Sequence, residues 1–81
     1  MSENLIDYLA EQSGLYVSDL LLPKNSAAII RVVSLLNPDD FSTEDWSASL
    51  TYLLGRRLRF ATTVAAKDYY IKRLLSNLSN S

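Results

Sequence analysis

The sequence predicts an all-α fold, a small bundle of about four helices built from one domain that spans residues 1–81. Two observations lead to this prediction. Apolar residues recur at three- and four-residue spacing in successive segments, and glycine, proline or Ser/Thr cap signals separate these segments. A chain of 81 residues also has room for only one small core, which would bury roughly 60 to 65% of the surface that the unfolded chain exposes.

Residues 25–37 are predicted to form the central helix of the bundle, because they are apolar almost all the way round a helical wheel. Three positions, Ala27, Arg31 and Ser34, form one narrow stripe that can face water. The helix should end at Asn37, since the following proline disfavours helical geometry in the residue before it. The positions expected to be buried, on several sides of the helix, are Ile29, Ile30, Val32, Val33, Leu35 and Leu36.

A first helix is predicted near residues 3–12, with Ser2 as its N-cap and Gly14 after its end. The connector at residues 15–22 is ambiguous, because Tyr-Val favours an extended segment whereas Ser-Asp can cap a short turn of helix. We expect a connector that contains one helical turn and is stopped by Pro23.

The start of the third helix carries the best-formed local signal in the chain, the run Phe-Ser-Thr-Glu-Asp-Trp. Ser42 is the expected N-cap, and the carboxylate of Asp45 should reach back to it in a variant of the capping box. Phe41 and Trp46 lie at the spacing of a hydrophobic staple. A helix should therefore begin at Thr43.

The sequence leaves the end of the third helix open. Gly55 can serve as a C-cap, or the helix can pass through it, because Arg-Arg-Leu-Arg continues a good helical sequence. The break is expected later, at residues 60–63, where Thr62 or Thr63 can cap a last helix whose tail frays beyond Leu78. The apolar positions of this last helix repeat at close to seven residues and are Val64, Ile71, Leu74, Leu75 and Leu78.

Residues 9–15, Leu-Ala-Glu-Gln-Ser-Gly-Leu, together with Leu20, resemble the first helix and turn of a helix-turn-helix DNA-binding motif. The resemblance stops at the segment that would read the bases. Residues 16–22 contain no Arg, Lys, Asn or Gln, carry Asp19 and are followed by Pro23. We therefore interpret residues 9–15 as an ordinary helix that ends at a glycine.

An acidic cluster surrounds the start of the third helix and consists of Asp39, Asp40, Glu44 and Asp45. A calcium loop needs oxygen ligands at alternate positions and a glycine at its turn, and the cluster meets neither condition. Helix capping and turn formation explain all four acids. Because the chain also lacks cysteine, histidine and a glycine-rich phosphate loop, we expect no metal site, no cofactor and no catalytic activity.

Charge is segregated along the chain. Residues 1–45 hold eight acidic and two basic side chains, whereas residues 46–81 hold one acidic and six basic ones. Basic and aromatic side chains together can dock an acidic protein surface, hold nucleic-acid phosphates, or form a solvated face that pairs with the molecule's own acids. The candidate partner-binding residues are Arg56, Arg57, Arg59, Phe60, Lys67, Tyr69, Tyr70, Lys72 and Arg73.

These observations predict a small non-enzymatic regulatory or adaptor protein that acts through protein–protein interaction, as a homodimer. Dimerisation is expected because one short chain has difficulty covering both the central helix and the apolar positions of the last helix. The alternative is a nucleic-acid-binding module that uses the basic C-terminal half, which a pI near 5.1 argues against. Since no secretory leader and no membrane-spanning apolar run are visible, we expect a cytoplasmic protein, with no membrane and no small-molecule substrate as partner.

Overall fold

The structure, a computed structural model, describes residues 4–79 and is all-α, as predicted, with 78% of these residues in helices. Each helix packs against two others in the ring order α1, α2, α4, α3, and α4 also contacts two of the connecting turns. Short 3-10 turns lie at Val17–Leu21, Pro23–Asn25 and Pro38–Asp40. The four α-helices are α1 (Leu5–Ser13), α2 (Ser26–Leu35), α3 (Thr43–Leu54) and α4 (Thr63–Ser79).

α1 begins at Leu5, and its N-cap is Asn4, whose side-chain oxygen accepts a hydrogen bond from the Asp7 amide at 2.8 Å. The predicted cap, Ser2, lies outside the described residues. Gly14 ends the helix as predicted, in the left-handed conformation with φ of 73°, which a glycine adopts without steric cost. The following connector contains the expected helical turn, at Val17–Leu21.

α2 is shorter and less enclosed than the sequence predicted. It ends at Leu35 instead of Asn37, and only one face is buried, formed by Ser26, Ile29 and Val33. The stripe of Ala27, Arg31 and Ser34 is exposed as expected. Leu35, which was predicted to be buried, is 84% exposed. The physical reason is the ring arrangement, in which α2 is covered by α1 and α4 and turns its outer side to solvent.

The start of α3 follows the predicted pattern with one correction. Ser42 is the N-cap and accepts from the Asp45 amide at 3.0 Å, while Phe41 and Trp46 are both buried. The Asp45 carboxylate does not complete the predicted capping box. It accepts instead from the backbone N–H of Leu5 and from the hydroxyl of Ser49, each at 3.0 Å. Asp45 therefore joins the N-terminus of α1 to α3.

Gly55 ends α3 in the left-handed conformation, with φ of 67°, so the helix does not pass through it. The Arg-Arg-Leu-Arg sequence that favoured continuation belongs to a non-helical connection over residues 56–62. The predicted cap of the last helix is present, because the Thr62 hydroxyl accepts from the Ala65 amide at 3.1 Å. α4 remains helical to Ser79, and the rest of the predicted frayed tail lies outside the described residues.

α4 runs antiparallel to α2, because Lys67 near its start bonds to Leu36 and Asn77 near its end bonds to Ser26. It buries a different stripe from the one that the sequence predicted. Ala66, Tyr70 and Leu74 face the core, at a spacing of four residues. Leu74 and, in part, Ile71 are buried as expected, whereas the rest of the predicted seam is exposed. The buried core of the bundle consists of Leu5, Leu9, Leu20, Ile29, Val33, Leu36, Phe41, Trp46, Leu50, Leu53, Ala66, Tyr70 and Leu74.

Candidate partner-binding surface

The connection between α3 and α4 is held against α3 by two hydroxyl side chains. Ser47 and Thr51 lie four residues apart and therefore face the same side of α3. The Thr51 hydroxyl accepts from the Leu58 amide at 3.0 Å and donates to the Leu58 carbonyl oxygen at 3.3 Å. The Ser47 hydroxyl accepts from the Phe60 amide at 3.2 Å. The backbone of the connection is thus fixed at two positions.

Fixing the backbone in this way turns two arginines outward. Leu58 and Phe60 are partly buried, whereas Arg57 and Arg59, which alternate with them, are exposed. Such alternation is typical of an extended segment, in which successive side chains point to opposite sides. Arg56, directly after the helix end, is exposed as well. The connection therefore presents its guanidinium groups to solvent from an ordered backbone.

An aromatic pair links this connection to α4. The rings of Phe60 and Tyr69 are 5.5 Å apart between centroids and are inclined by 58°. Arg73 follows Tyr69 by four residues on α4, so it lies on the same side of the helix and is exposed. We call the group formed by Arg57, Arg59, Phe60, Tyr69 and Arg73 the basic–aromatic surface. Arg56 and Lys72 are exposed beside it.

Two of the residues predicted for this surface belong elsewhere. The Lys67 ammonium group donates to the carbonyl oxygens of Ser34 and Leu36, at 3.4 and 2.9 Å, and so caps the C-terminus of α2. Tyr70 is 1% exposed, and its assignment to the partner-binding surface is wrong. On α4, Tyr70 occupies the core-facing stripe, whereas Tyr69 points to the outside.

The arginines of the basic–aromatic surface are not paired with the molecule's own acids. Within residues 4–79, no acidic side chain comes within the 4.0 Å of an ion pair with Arg57, Arg59 or Arg73. Glu44 and Arg59 line the same shallow depression on the surface, yet they form no ion pair. The alternative of a solvated face whose arginines pair with the molecule's own acids therefore does not hold for Arg57, Arg59 and Arg73.

Two of the four residues in the acidic cluster, Asp39 and Asp45, serve the fold, but through contacts between distant segments and not through the predicted helix capping. Asp39 accepts a hydrogen bond from the Thr63 hydroxyl at 2.5 Å and so ties the turn before α3 to the start of α4. Asp45 bonds α1 to α3, as described above. The described part of the chain contains no group of three or more His, Cys, Asp or Glu side chains that could hold a metal ion.

Sequence reasoning missed a groove between α1 and α2. Its walls are formed by Tyr8 and Gln12 from α1 and by Arg31, Val32 and Leu35 from α2. The only sequence signal for it was the long apolar run of α2, which predicted burial of Leu35 instead. No helix within residues 4–79 is long and apolar enough to cross a membrane.

The basic–aromatic surface is the part of the described chain where exposed cations and an ordered aromatic pair meet. No protein-family model, no curated protein and no solved structure matches this chain.

Proposed function

We propose that the protein is a small non-enzymatic adaptor of the cytoplasm, a homodimer that binds an acidic segment of another protein through the basic–aromatic surface. One observation carries this proposal. Arg57 and Arg59 are held outward by a backbone that Thr51 and Ser47 fix, and neither arginine has an acidic partner within residues 4–79. Their charge is therefore available to a molecule that supplies carboxylates.

The chemistry of the surface suits such a ligand. A guanidinium group presents five N–H donors in a planar arrangement that matches a carboxylate with two parallel hydrogen bonds. Arginine and aromatic side chains are also enriched in protein–protein interfaces. The Phe60–Tyr69 pair supplies an apolar contact next to the arginines, so an acidic segment with an apolar or aromatic residue between its carboxylates fits best.

Charge favours a protein partner over nucleic acid. The chain has a formal net charge of −1, and its N-terminal 45 residues carry an excess of six acidic groups. Dedicated nucleic-acid binders combine a basic surface with a high pI, because phosphate neutralisation supplies most of their affinity. A local group of three arginines on an acidic protein is better matched to a short acidic peptide. Binding of single-stranded nucleic acid in place of such a peptide would favour the alternative function, a nucleic-acid-binding module.

The test compares two labelled probes by fluorescence anisotropy at physiological salt. The first is a peptide in which Glu and Asp alternate with Leu and Tyr, and the second is a single-stranded oligothymidine of equal length. We expect micromolar binding of the peptide, and the double variant Arg57→Gln/Arg59→Gln should weaken it at least about tenfold, which corresponds to about 1.4 kcal/mol.

Arg31→Gln is the matched control, because Arg31 is an exposed arginine on α2, away from the connection. This variant should bind the peptide as the original chain does. Binding of the oligonucleotide with loss in the double variant would instead support the nucleic-acid module. Failure of both probes to bind, or equal weakening by Arg31→Gln, would contradict the proposal.

A further inference from the structure

α4 carries an exposed apolar face that is separate from the basic–aromatic surface. Val64 is 55% exposed, Leu75 is 48% exposed and Leu78 is 41% exposed, while Ile71 between them is only partly buried. At about 100° per residue, these four positions fall within an arc of about 60° on the helix. We call them the α4 apolar face. It extends over about 21 Å of helix, from residue 64 to residue 78.

The ring arrangement explains why the bundle does not cover this face. α2 and α3 contact α4, and the residues of α4 that are buried are Ala66, Tyr70 and Leu74. The α4 apolar face begins where this buried stripe ends, and the exposure of Val64, Leu75 and Leu78 shows that no helix within residues 4–79 covers its outer side. A row of large apolar side chains along one helix is typical of a site for another molecule, whereas single exposed apolar residues are ordinary.

Two charged side chains at one edge of the α4 apolar face indicate which molecule binds there. Asp68 and Lys72 are both exposed, and both lie to the same side of the apolar row on the helical wheel. Although they are four residues apart on one helix, they form no ion pair within 4.0 Å. Asp68 is also the only acidic side chain among residues 46–81. The edge thus offers one acceptor and one donor of opposite charge.

We infer that the α4 apolar face binds the same face of a second copy, with the two helices antiparallel and the two-fold axis near Ile71. In a two-fold interface each patch must be complementary to itself. An axis at Ile71 places Val64 of one copy opposite Leu78 of the other, so apolar residues meet along the whole row.

The same axis brings the charged edges together. An antiparallel two-fold pair places the same edge of both helices on the same side of the interface. Position 74 of the second copy lies opposite Asp68, and Lys72 of that copy is two residues away, or about 3 Å along the helix axis. The length of a lysine side chain covers this offset. Each interface therefore contains two symmetry-related Asp68–Lys72 pairs, which set orientation more than affinity.

The contact is modest in size. One helix pair over about 21 Å buries less than the roughly 1,200 to 2,000 Å² of a standard stable interface, so we expect a dissociation constant of about 1–100 μM. Because apolar contacts dominate, the dimer should persist near 1 M salt. This inference rests on the dimer within the proposed function and is independent of the acidic ligand, since the α4 apolar face and the basic–aromatic surface share no residue.

Sedimentation equilibrium up to about 200 μM tests the interface. The original chain should dimerise, and Leu75→Glu should weaken dimerisation at least about 100-fold, because it places an unpaired charge in the apolar contact. Leu35→Glu is the matched control, because Leu35 is an exposed apolar residue on α2. It should leave dimerisation unchanged. Circular dichroism checks that both variants keep the helical content of the original chain.

Two further variants test the register. The chain has no cysteine, so Ile71→Cys introduces a single thiol beside the two-fold axis and should form an intermolecular disulfide on mild oxidation, whereas Leu35→Cys should not. Asp68→Lys should weaken the dimer several-fold, and adding Lys72→Asp to it should restore the affinity.

The outcomes separate the inference from the proposed function. A dimer that resists Leu75→Glu but is broken by Leu35→Glu would overturn the α4 interface and assign dimerisation to the groove between α1 and α2. A monomer at every concentration would overturn both the interface and the homodimer. The acidic peptide is proposed to bind the basic–aromatic surface, which shares no residue with the α4 apolar face. Neither of these two results would therefore contradict peptide binding.

Discussion

The acidic half of the chain and its basic half differ in how far their charged side chains are bonded to the fold. Among residues 1–45, the carboxylates of Asp19, Asp39 and Asp45 each accept a hydrogen bond from a backbone amide or a hydroxyl of the same molecule. Among the six basic residues of the other half, the hydrogen bonds to the fold come from Lys67. The segregation of charge along the sequence is therefore not a means of internal pairing.

The difference follows from the chemistry of helix ends. A carboxylate only accepts hydrogen bonds, and the first turn of each helix leaves amide N–H groups without partners, so short acidic side chains near helix starts are readily used. A guanidinium group only donates. The carbonyl groups at the C-terminus of α3 are followed by Gly55, and the arginines beyond it point away in the connection. Apart from Lys67, the cations of this half form no hydrogen bond or ion pair within residues 4–79.

Asp45→Ala should have the largest effect on stability among the changes that test this difference. It leaves the Leu5 amide and the Ser49 hydroxyl without their partner in a partly buried position, which should lower the free energy of unfolding by about 2 kcal/mol. Urea denaturation followed by circular dichroism measures the change.

Asp40→Ala is the control for Asp45, because Asp40 is an exposed carboxylate of the same cluster. It should change the free energy of unfolding by less than about 0.5 kcal/mol. Equal losses in the two variants would mean that the acidic cluster acts through its summed charge, and the distinction between used and unused charges would fail within the acidic half.

Lys67→Met should have an intermediate effect, because Lys67 is the cation that serves the fold. Methionine keeps the apolar stem but removes the two hydrogen bonds to the last carbonyl groups of α2, at a cost of about 1 kcal/mol in this partly exposed position. Lys72→Met, at an exposed position on the same helix, should cost nothing measurable. If both variants unfolded at the same midpoint temperature, the hydrogen bonds of Lys67 would contribute nothing measurable to stability, and Lys67 would not differ from the exposed cations.

Local signals in the sequence were sufficient for most of the fold. Ser42 and Thr62 are the caps that the pattern of hydroxyl residues predicted, and Gly14 ends its helix in the conformation that glycine favours. These features depend on a few neighbouring residues. Trp46 was placed correctly for the same reason, since the staple spacing fixes which side of the helix start it covers.

The sequence could not show which side of a helix other helices would cover. Leu35 and Tyr70 illustrate this, because an apolar run predicted burial of the first and a basic neighbourhood predicted exposure of the second, and both predictions were wrong. The order of the helices in the ring determines whether each of these residues is buried. That order depends on contacts between segments that are distant in the sequence. For the same reason, Phe60 and Tyr69 could be selected as candidates, but their contact could not be predicted.

Tyr70→Phe should have the smallest effect at neutral pH and should show that this residue belongs to the core. The Tyr70 hydroxyl is buried and has no hydrogen-bond partner within the described residues, so it contributes a desolvation cost without a compensating bond. Removing it should leave the free energy of unfolding unchanged or raise it by up to about 1 kcal/mol. Tyr69→Phe, on the outer side of α4, should change it by less than about 0.5 kcal/mol.

The pH dependence gives the same variant a second measurement. Burial raises the pKa of the Tyr70 phenol above its usual value, because the charged form is poorly solvated in the core. Below about pH 10 the phenol is neutral in both folded and unfolded chains, so it does not make the free energy of unfolding depend on pH. Above that pH the unfolded chain releases the proton more readily, so the folded state loses up to about 1.4 kcal/mol per pH unit. Tyr70→Phe should remove this loss, whereas Tyr69→Phe should retain it. If the free energy of unfolding of Tyr70→Phe still fell with pH as in the original chain, the titrating group would be another residue. The assignment of Tyr70 to the core would then be contradicted.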